Sequence, residues 1–284
     1  MTVALSRLLF FAAALVAALL LGRWLTRLTR SRGTWQRENF RGREISMVGG
    51  IVAVWLLGVV PAAVAMSDRA IGPDPAHLRR VVVAVAVVAL AAGSIGVADD
   101  LYGDSHAKGF RGHLRALRHG TVTTGLLKVV VICGAAAAAA GVLGGWRFGV
   151  QQVVDTGVIA GFANLANLLD LRPGRALKVV VAAAVPAALV ADSVVGLAAA
   201  WLAGAAAGLL PDDVGERTML GDGGANALGG SLGVVLAATG GLLVSAAVLA
   251  GLVVVTAASE VISFSAVIDR SPLLRRVDEL GRAR

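Results

Sequence analysis

The sequence predicts an all-α polytopic membrane protein with about nine transmembrane helices, its N-terminus outside and its C-terminus in the cytoplasm. Hydrophobic residues make up 57% of the 284 residues and charged residues only 15%, whereas globular domains are roughly 45–50% apolar. The apolar residues form runs close to the roughly 20 residues that cross a bilayer. Lys and Arg gather between alternate runs, which orients the chain. We expect residues 1–284 to form one integral-membrane domain.

Nine apolar segments are expected to be helical. Their predicted bounds are 3–22, 47–66, 80–97, 122–142, 151–168, 178–193, 194–210, 225–241 and 242–259. The stretch 178–210 is divided near Asp192 and Ser193, because about 33 residues exceed one ordinary span. The first segment is interpreted as a transmembrane helix and not as a signal peptide, since only Arg7 precedes its apolar run and a basic cluster follows it.

The basic residues set the orientation. With the loop after the first segment placed inside, 21 of the 26 Lys and Arg residues lie on the inner side, as the positive-inside rule requires of cytoplasmic loops. We therefore expect a plasma-membrane protein whose polar loops face the cytoplasm. The net charge of +8 is spread between apolar runs, so it does not form the basic face of a nucleic-acid-binding domain. The single cysteine excludes an intrachain disulfide.

Three polar segments fall on the inner side, and the first carries an adjacent acid pair. Asp99 and Asp100 follow the third apolar segment. Neighbouring carboxylates repel each other and are tolerated where a cation neutralises them or where one acts as a base. A solvated helix end that caps the next segment is an equally good interpretation of this pair taken alone.

The second polar segment ends the fifth helix. Asn164, Asn167 and Asp170 recur at a spacing of three residues, which places them along one helix face. Amide and carboxylate oxygens suit a hard cation such as Mg²⁺. Arg172 and Arg175 follow across a Pro-Gly break, and their guanidinium groups suit phosphate. Termination of a helix at its cytoplasmic end explains the Pro-Gly break and the arginines. It does not explain two asparagines inside an apolar helix end.

The third polar segment, 219–230, is rich in glycine and opens the eighth helix. Glycines let a backbone approach phosphate closely, and a helix N-terminus favours anions. Asp222 is placed to hold a cation that bridges those phosphates. The alternative is a flexible turn followed by small residues for helix packing. Taken together, the three segments favour Mg²⁺-dependent phosphoryl transfer on a lipid phosphate reached from the bilayer.

The order of these motifs resembles that of the polyprenyl-phosphate N-acetylhexosamine-1-phosphate transferase family, which includes phospho-MurNAc-pentapeptide translocase and the GlcNAc-1-phosphate transferases. Four stretches carry the resemblance: 46–50 (SMVGG), 99–100 (DD), 164–170 (NLANLLD) and 219–222 (MLGD). The resemblance implies transfer of a sugar-1-phosphate from a UDP-N-acetylhexosamine to a polyprenyl phosphate such as undecaprenyl phosphate. The reaction releases UMP and belongs to cell-envelope glycopolymer biosynthesis.

The resemblance also implies residue roles. Asp222 would be a Mg²⁺ ligand and Asn167 a second one, while Asp99 or Asp100 would deprotonate or position the lipid phosphate. Lys108 and Lys128 resemble the basic residues that hold this phosphate, and Asp170 would lie at the nucleotide end of the cleft. Together with the residues singled out by their chemistry, the expected substrate-binding set is Lys108, Lys128, Asn164, Asp170, Arg172, Arg175 and Gly221.

Two departures from the family pattern bear on the substrate. The family often has glycine directly after the acid of the second motif, whereas Leu171 stands here, which leaves the uridine and sugar contacts open. The segment 263–282 has no histidine, although the muramyl-pentapeptide branch carries a histidine-rich motif in the corresponding loop. We therefore expect a donor of the UDP-GlcNAc type.

Two other functions remain alternatives. A membrane transporter fits the helix count, but the absence of charges near mid-span and of an evident internal repeat counts against it. A catalytically inactive scaffold of the same fold is disfavoured by the joint presence of Asp99, Asp100, Asn167 and Asp222. The sequence leaves the oligomeric state, including a homodimer, open.

The predicted orientation is testable by labelling single cysteines in a Cys133→Ala background. Cysteines at Ser67 and Trp146 should react with a membrane-impermeant maleimide added to intact cells, because these positions lie in outer loops. Cysteines at Ser105 and Ala283 should react only after the membrane is opened. Labelling of Ser105 in intact cells would overturn the orientation and the cytoplasmic placement of the polar segments.

Overall fold

A computed structural model of the chain describes residues 2–29, 35–66, 74–103 and 123–282. Within these ranges the long helices are α1 (Val3–Thr29), α2 (Val48–Met66), α3 (Pro75–Tyr102), α4 (Thr124–Leu143), α5 (Val150–Leu169), α6 (Arg175–Val190), α7 (Ser193–Val214), α8 (Gly221–Thr239) and α9 (Leu242–Ser259). The short elements are β1 (Gln36–Glu38), β2 (Glu44–Ser46), α10 (Phe264–Arg270) and α11 (Pro272–Glu279). The prediction of an all-α protein is thus confirmed apart from one small hairpin.

Each predicted apolar segment coincides with one long helix, and the differences lie at the helix ends. α3 continues to Tyr102 and α8 begins at Gly221, so Asp99, Asp100 and Asp222 lie on helices and not in loops. The predicted break near Asp192 is confirmed. The Asp192 carboxylate caps α7 by accepting hydrogen bonds from the backbone N–H groups of Val194 and Val195, at 2.8 and 2.9 Å.

Six of the described helices are long and apolar enough to cross a membrane, namely α1, α2, α3, α4, α7 and α9. The other three differ for physical reasons. α6 has only 16 residues, which is short for a span of roughly 20, while α5 carries Gln and Asn side chains and α8 is rich in glycine. Length and composition therefore support a membrane-embedded protein with six evident spans.

α8 is the centre of the bundle. It packs mainly between α3 and α5 and also touches α2, α6 and α7, and nearly all of its residues are buried. Small side chains allow this packing: an added Cβ at Gly230 would overlap Val88 of α3, and one at Gly233 would lie 2.6 Å from the Ile159 Cα of α5. Because protein surrounds α8, its low hydropathy does not conflict with a place inside a membrane bundle.

Arg7 connects the first helix to the end of the sixth. Its guanidinium donates hydrogen bonds to the backbone carbonyls of Leu189, Ala191 and Asp192 at 3.1, 2.8 and 2.9 Å. The Leu189 and Ala191 carbonyls lie at the C-terminal end of α6, where the last carbonyls have no intrahelical partner and a cation is stabilising. Arg7 therefore closes the α6–α7 turn.

The β1–β2 hairpin was not predicted. Its strands pair antiparallel with Arg37 opposite Ile45, and Gly42 provides a positive φ of 70° in the turn. β2 is fixed to the loop before α8, because the Met219 backbone N–H donates to the Ser46 carbonyl at 2.8 Å. The hairpin therefore lies against the glycine-rich segment that opens α8.

The close approach of α2 to α8 generates a stability prediction. A Cβ at Gly50 would overlap the Leu220 carbonyl oxygen and lie 2.9 Å from the Gly224 nitrogen. We expect Gly50→Ala to lower the free energy of unfolding by about 1–3 kcal/mol, the usual cost of overpacking. Thermal unfolding of the detergent-purified protein measures this loss.

Gly134→Ala is the matched control, since an added Cβ at Gly134 of α4 meets nothing within 4 Å. We expect this variant to unfold at or slightly above the wild-type temperature, because alanine favours helix more than glycine does. Equal behaviour of the two variants would contradict the close packing of α2 on α8.

Candidate functional site

The acid pair closes the last turn of α3, and its two carboxylates have different partners. Asp99 accepts a hydrogen bond from the Lys128 ammonium at 2.9 Å. Asp100 accepts one from the Arg37 guanidinium at 2.6 Å and one from the Gly223 backbone N–H at 3.1 Å. The hairpin and the start of α8 thus hold Asp100, whereas α4 holds Asp99.

Lys128 joins three helices. Its ammonium lies in the second turn of α4 and pairs with Asp99 of α3 and with Asp222 of α8. Only 17% of the Lys128 side chain is exposed, so these ion pairs are screened less than surface pairs. Lys128 therefore fixes the position of the acid pair at the end of α3 relative to the glycine-rich start of α8.

Gly221 is required by both conformation and space. Its φ of 60° lies in the left-handed region that favours glycine, and an added Cβ would lie 2.6 Å from a carboxylate oxygen of Asp100. A side chain at this position would separate Asp100 from the first turn of α8. The close approach of Asp100 thus explains why glycine stands at position 221.

The three motifs meet in one cleft of about 330 Å³. Its walls come from the hairpin, the end of α3, the end of α5 and the start of α8. The lining residues are Arg37, Asp100, Asn164, Asn167, Leu168, Asp170, Leu171, Met219, Gly221 and Asp222. Residues distant in sequence thus converge as the sequence led us to expect, and we call this space the acidic cleft.

A second cleft, also of about 330 Å³, adjoins the acidic cleft across Asp170, Leu171 and Met219. Phe40 and Arg172 both line it, and the Arg172 guanidinium lies 4.3 Å from the centre of the Phe40 ring. This cation–π contact presents a flat surface beside the polar residues. We call this space the aromatic cleft.

Asp170 lies between the two clefts, and its carboxyl group is electrostatically disfavoured as an anion. Burial raises its pKa well above the ordinary value, and the negative charges of Asp213, Asp222 and Asp100 raise it further. A hydrogen bond from the Gly221 backbone acts in the opposite direction but is the weaker effect. A cation or a cationic group of a ligand would relieve this repulsion.

Glu216 holds the hairpin over the clefts, although the sequence did not identify it. Its buried carboxylate accepts hydrogen bonds from the side-chain amide of Asn39 at 3.1 Å and from Arg43 at 3.5 Å, and it pairs with Arg41 at 3.1 Å. Its φ of 52° is unusual for a residue other than glycine. Backbone strain of this kind persists where surrounding contacts fix the residue.

Arg37 was also missed. It is one of seven Lys and Arg residues between 23 and 46, and the sequence does not reveal which of them contacts a carboxylate. The signal available was a turn pattern, in which Asn39 and Gly42 separate two short polar stretches. That pattern predicts a hairpin but not its contact with Asp100.

The predicted substrate-binding residues are divided by the structure. Lys128 pairs with two carboxylates beside the acidic cleft, Asn164 donates to the Thr256 hydroxyl at 3.3 Å at its edge, and Arg172 lines the aromatic cleft. Arg175 is not brought to either cleft, because its guanidinium is buried against Asp278 at 2.8 and 2.9 Å. Lys108 lies outside the described residues.

The donor set of the acidic cleft fits a divalent cation only in part. Asp222 and Asn167, the predicted ligands, both line it, and its oxygen donors are the type that Mg²⁺ prefers. Within the described ranges no group of three or more His, Cys, Asp and Glu side chains is arranged to hold a metal. Mg²⁺ is commonly held by one or two carboxylates together with water and substrate phosphates, so the cleft fits a cation that arrives with a phosphate ligand.

Comparison with known proteins adds no family assignment. No protein-family model matches the chain, and a search of curated proteins finds no match.

Asp170 generates a prediction on pH dependence. A carboxyl group whose pKa is raised by folding stabilises the fold while it is protonated, and this stability is lost as the pH rises through the folded pKa. We expect Asp170→Asn to raise the midpoint of thermal unfolding by about 2 °C or more at pH 8 and to leave it unchanged near pH 4. The measurement uses detergent-purified protein free of divalent cations.

Asp74→Asn serves as the control, since Asp74 caps the exposed start of α3 and asparagine caps equally well. Its unfolding midpoint should follow the wild type across the pH range. A less stable Asp170→Asn variant at pH 8 would mean that the ionised carboxylate is favoured in the folded protein, contrary to its raised pKa.

Proposed function

We propose that the protein is a membrane-embedded, Mg²⁺-dependent phospho-N-acetylhexosamine transferase. It transfers a sugar-1-phosphate from a UDP-N-acetylhexosamine to undecaprenyl phosphate on the cytoplasmic face of the plasma membrane and releases UMP. The observation that carries this proposal is the acidic cleft, in which Asp100, Asn167, Asp170 and Asp222 converge from α3, the end of α5 and α8. The motif resemblance supports the choice of substrates.

The proposed reaction needs an oxygen nucleophile beside a diphosphate. An oxygen of the lipid phosphate forms a bond to the phosphorus that carries the sugar, and the bond between the two phosphates of the donor breaks, with UMP as the leaving group. Such a transfer depends mainly on positioning and charge stabilisation. Asp100 is better placed than Asp99 to position the lipid phosphate or to accept its proton, because it lines the cleft.

The cationic residues give the substrates their anchor points. Arg37 is about half exposed at the cleft, so its guanidinium is accessible to a phosphate that competes with Asp100. Lys128 lies beside Asp222 and neutralises the acids until an incoming phosphate takes one of its hydrogen bonds. The bidentate geometry of arginine suits the two oxygens of a phosphate.

Asp222 and Asn167 would hold the magnesium ion together with the donor diphosphate. When bound, the ion would stabilise the negative charge that develops on the transferred phosphate. In the same proposal the nucleotide enters the aromatic cleft, where Phe40 and Arg172 form a flat surface next to Asp170. The two clefts adjoin each other, as a UDP-sugar that spans base and diphosphate requires.

The membrane arrangement belongs to the same proposal. We infer that all nine long helices cross the bilayer, with α5, α6 and α8 shielded by the more apolar helices around them. The charge distribution supports a cytoplasmic location for both clefts. The polar motifs lie at helix ends, and most Lys and Arg residues lie in the loops next to those ends. A lipid phosphate at that surface would reach the acidic cleft without leaving the bilayer.

The test is UMP release by the purified protein. With undecaprenyl phosphate, Mg²⁺ and UDP-GlcNAc or another UDP-N-acetylhexosamine, we expect UMP and a lipid-linked sugar to form in equal amounts. Asp222→Asn and Asp100→Asn should each lower turnover at least about 100-fold, the usual cost of losing one preorganised electrostatic contact. Asp99→Asn should be milder, because Asp99 does not line the cleft.

Asp74→Asn, at the opposite end of α3 from the acid pair, is the control that should retain turnover. UDP-MurNAc-pentapeptide is offered in parallel, and lipid product from this donor alone would move the protein to the muramyl-pentapeptide branch. A folded protein that releases no UMP with any of these donors would contradict the transferase and favour a transporter or an inactive scaffold.

A further inference from the structure

The segment after α9 exposes an apolar helix face. In α11 the side chains of Leu273, Leu274 and Val277 are 71%, 46% and 55% exposed, and Leu280, just beyond the helix end, is 71% exposed. With 3.6 residues per turn, these four positions fall within an arc of about 120°. The polar positions Arg275 and Glu279 lie on the opposite side. α11 is therefore strongly amphipathic, with its apolar face directed away from the rest of the protein.

Ion pairs fix this orientation. Asp278, the one buried residue of α11, accepts hydrogen bonds from the Arg175 guanidinium at 2.8 and 2.9 Å. Lys178 donates to the carbonyls of Val277 and Asp278 at 3.1 and 2.7 Å. Burial alone would raise the pKa of Asp278, but the hydrogen bonds and charge of Arg175 and the charge of Arg282 hold it below its ordinary value. α11 is thus attached along one flank.

The attachment of α11 to α6 determines how deep α11 lies relative to the bilayer. Arg175 and Lys178 belong to the first turn of α6, and a helix of 16 residues is about 24 Å long. This is less than the roughly 30 Å of a bilayer's hydrocarbon core. If α6 crosses the membrane, its first turn lies at the boundary between hydrocarbon and headgroups. An element fixed to that turn lies at the same level and not in bulk cytoplasm.

The end of α9 also places the following segment at the membrane surface. α9 is one of the helices long and apolar enough to span a membrane, and it ends at Ser259. Val261 and Ile262, which follow it directly, are also exposed. Exposed apolar side chains, clustered after α9 and along one face of α11, are uncommon on proteins in water and mark an interaction site.

We propose that α11 is an interfacial helix that inserts its apolar face into the cytoplasmic surface of the lipid bilayer. Helices of this type lie in the membrane plane with the apolar side chains in the boundary region and the charged ones toward water. Arg276 lies at the edge of the apolar face, where its long side chain reaches the lipid phosphates. The proposal rests on α6 crossing the membrane and is independent of the transferase activity.

The inserted helix has a consequence for the clefts. Arg282 donates to the Pro173 carbonyl at 2.9 Å, and Arg175 begins the helix that follows the 170–174 turn. This turn carries Asp170 and Arg172, which line the two clefts. An α11 held in the bilayer surface therefore holds that wall of the clefts at a fixed depth.

The experiment places a fluorophore on opposite sides of the same helix. In the full-length Cys133→Ala protein, single cysteines at Leu273 and at Glu279 are labelled with an environment-sensitive dye, and the protein is reconstituted in lipid nanodiscs. We expect the Leu273 label to emit at shorter wavelength and to be quenched at least twofold more than the Glu279 label by lipids spin-labelled in the acyl chain. Leu280 and Arg275 form a second matched pair, in case one substitution disturbs folding.

Two outcomes would overturn the proposal. Water-like emission from both labels of a pair, without quenching, would mean that the apolar face stays in the aqueous phase. A blue-shifted Leu273 label that spin-labelled lipids do not quench would mean that protein, such as a second copy of the chain, covers the face. Neither result depends on UMP release, so failure of this proposal and failure of the transferase proposal are distinguishable.

Discussion

Backbone atoms of α8 lie against backbone atoms of α2 and α3 with no side chain between them, and the rest of the structure depends on this approach. An added Cβ at Gly50 of α2 or Gly96 of α3 would meet backbone atoms at the start of α8 within 3 Å. Only this spacing lets the Gly223 N–H reach the Asp100 carboxylate. It also brings Asp222 within reach of Lys128. Close packing through small residues is a common way for membrane helices to associate, and here it also assembles the acidic cleft.

The acidic cleft concentrates carboxylates, and cations from neighbouring elements reduce the repulsion between them. Lys128 and Arg37 provide them, each from an element other than the one that carries its carboxylate partner. Burial raises the pKa of Asp170, and the charges of Asp213, Asp222 and Asp100 raise it further. In the proposed reaction, a divalent cation that arrives with the substrate phosphates would lower the repulsion between these carboxylates.

Charged side chains hold helix ends and the hairpin in place through hydrogen bonds and ion pairs. Arg7 binds the carbonyls at one end of α6, and α11 is fixed at the other end through Arg175 and Asp278. Glu216 fastens the hairpin with Asn39 and two arginines. In each case a charged side chain joins elements that lie far apart in the sequence. The contacts of Glu216 and Arg175 therefore hold the segments that border the clefts in place.

The sequence by itself determined the helices and the ends at which their polar residues gather. Apolar runs, the break at Asp192 and the Asn164–Asp170 spacing are local patterns, and local periodicity is enough to locate a helix. Only the tertiary structure decided which side chains meet. Asp100, and not Asp99, lines the acidic cleft. Arg37 contacts Asp100 from the β1–β2 hairpin, which the sequence did not predict. Arg175 pairs with Asp278, more than 100 residues away in the chain. Such pairings depend on how closely the helices pack, and no local pattern records that distance.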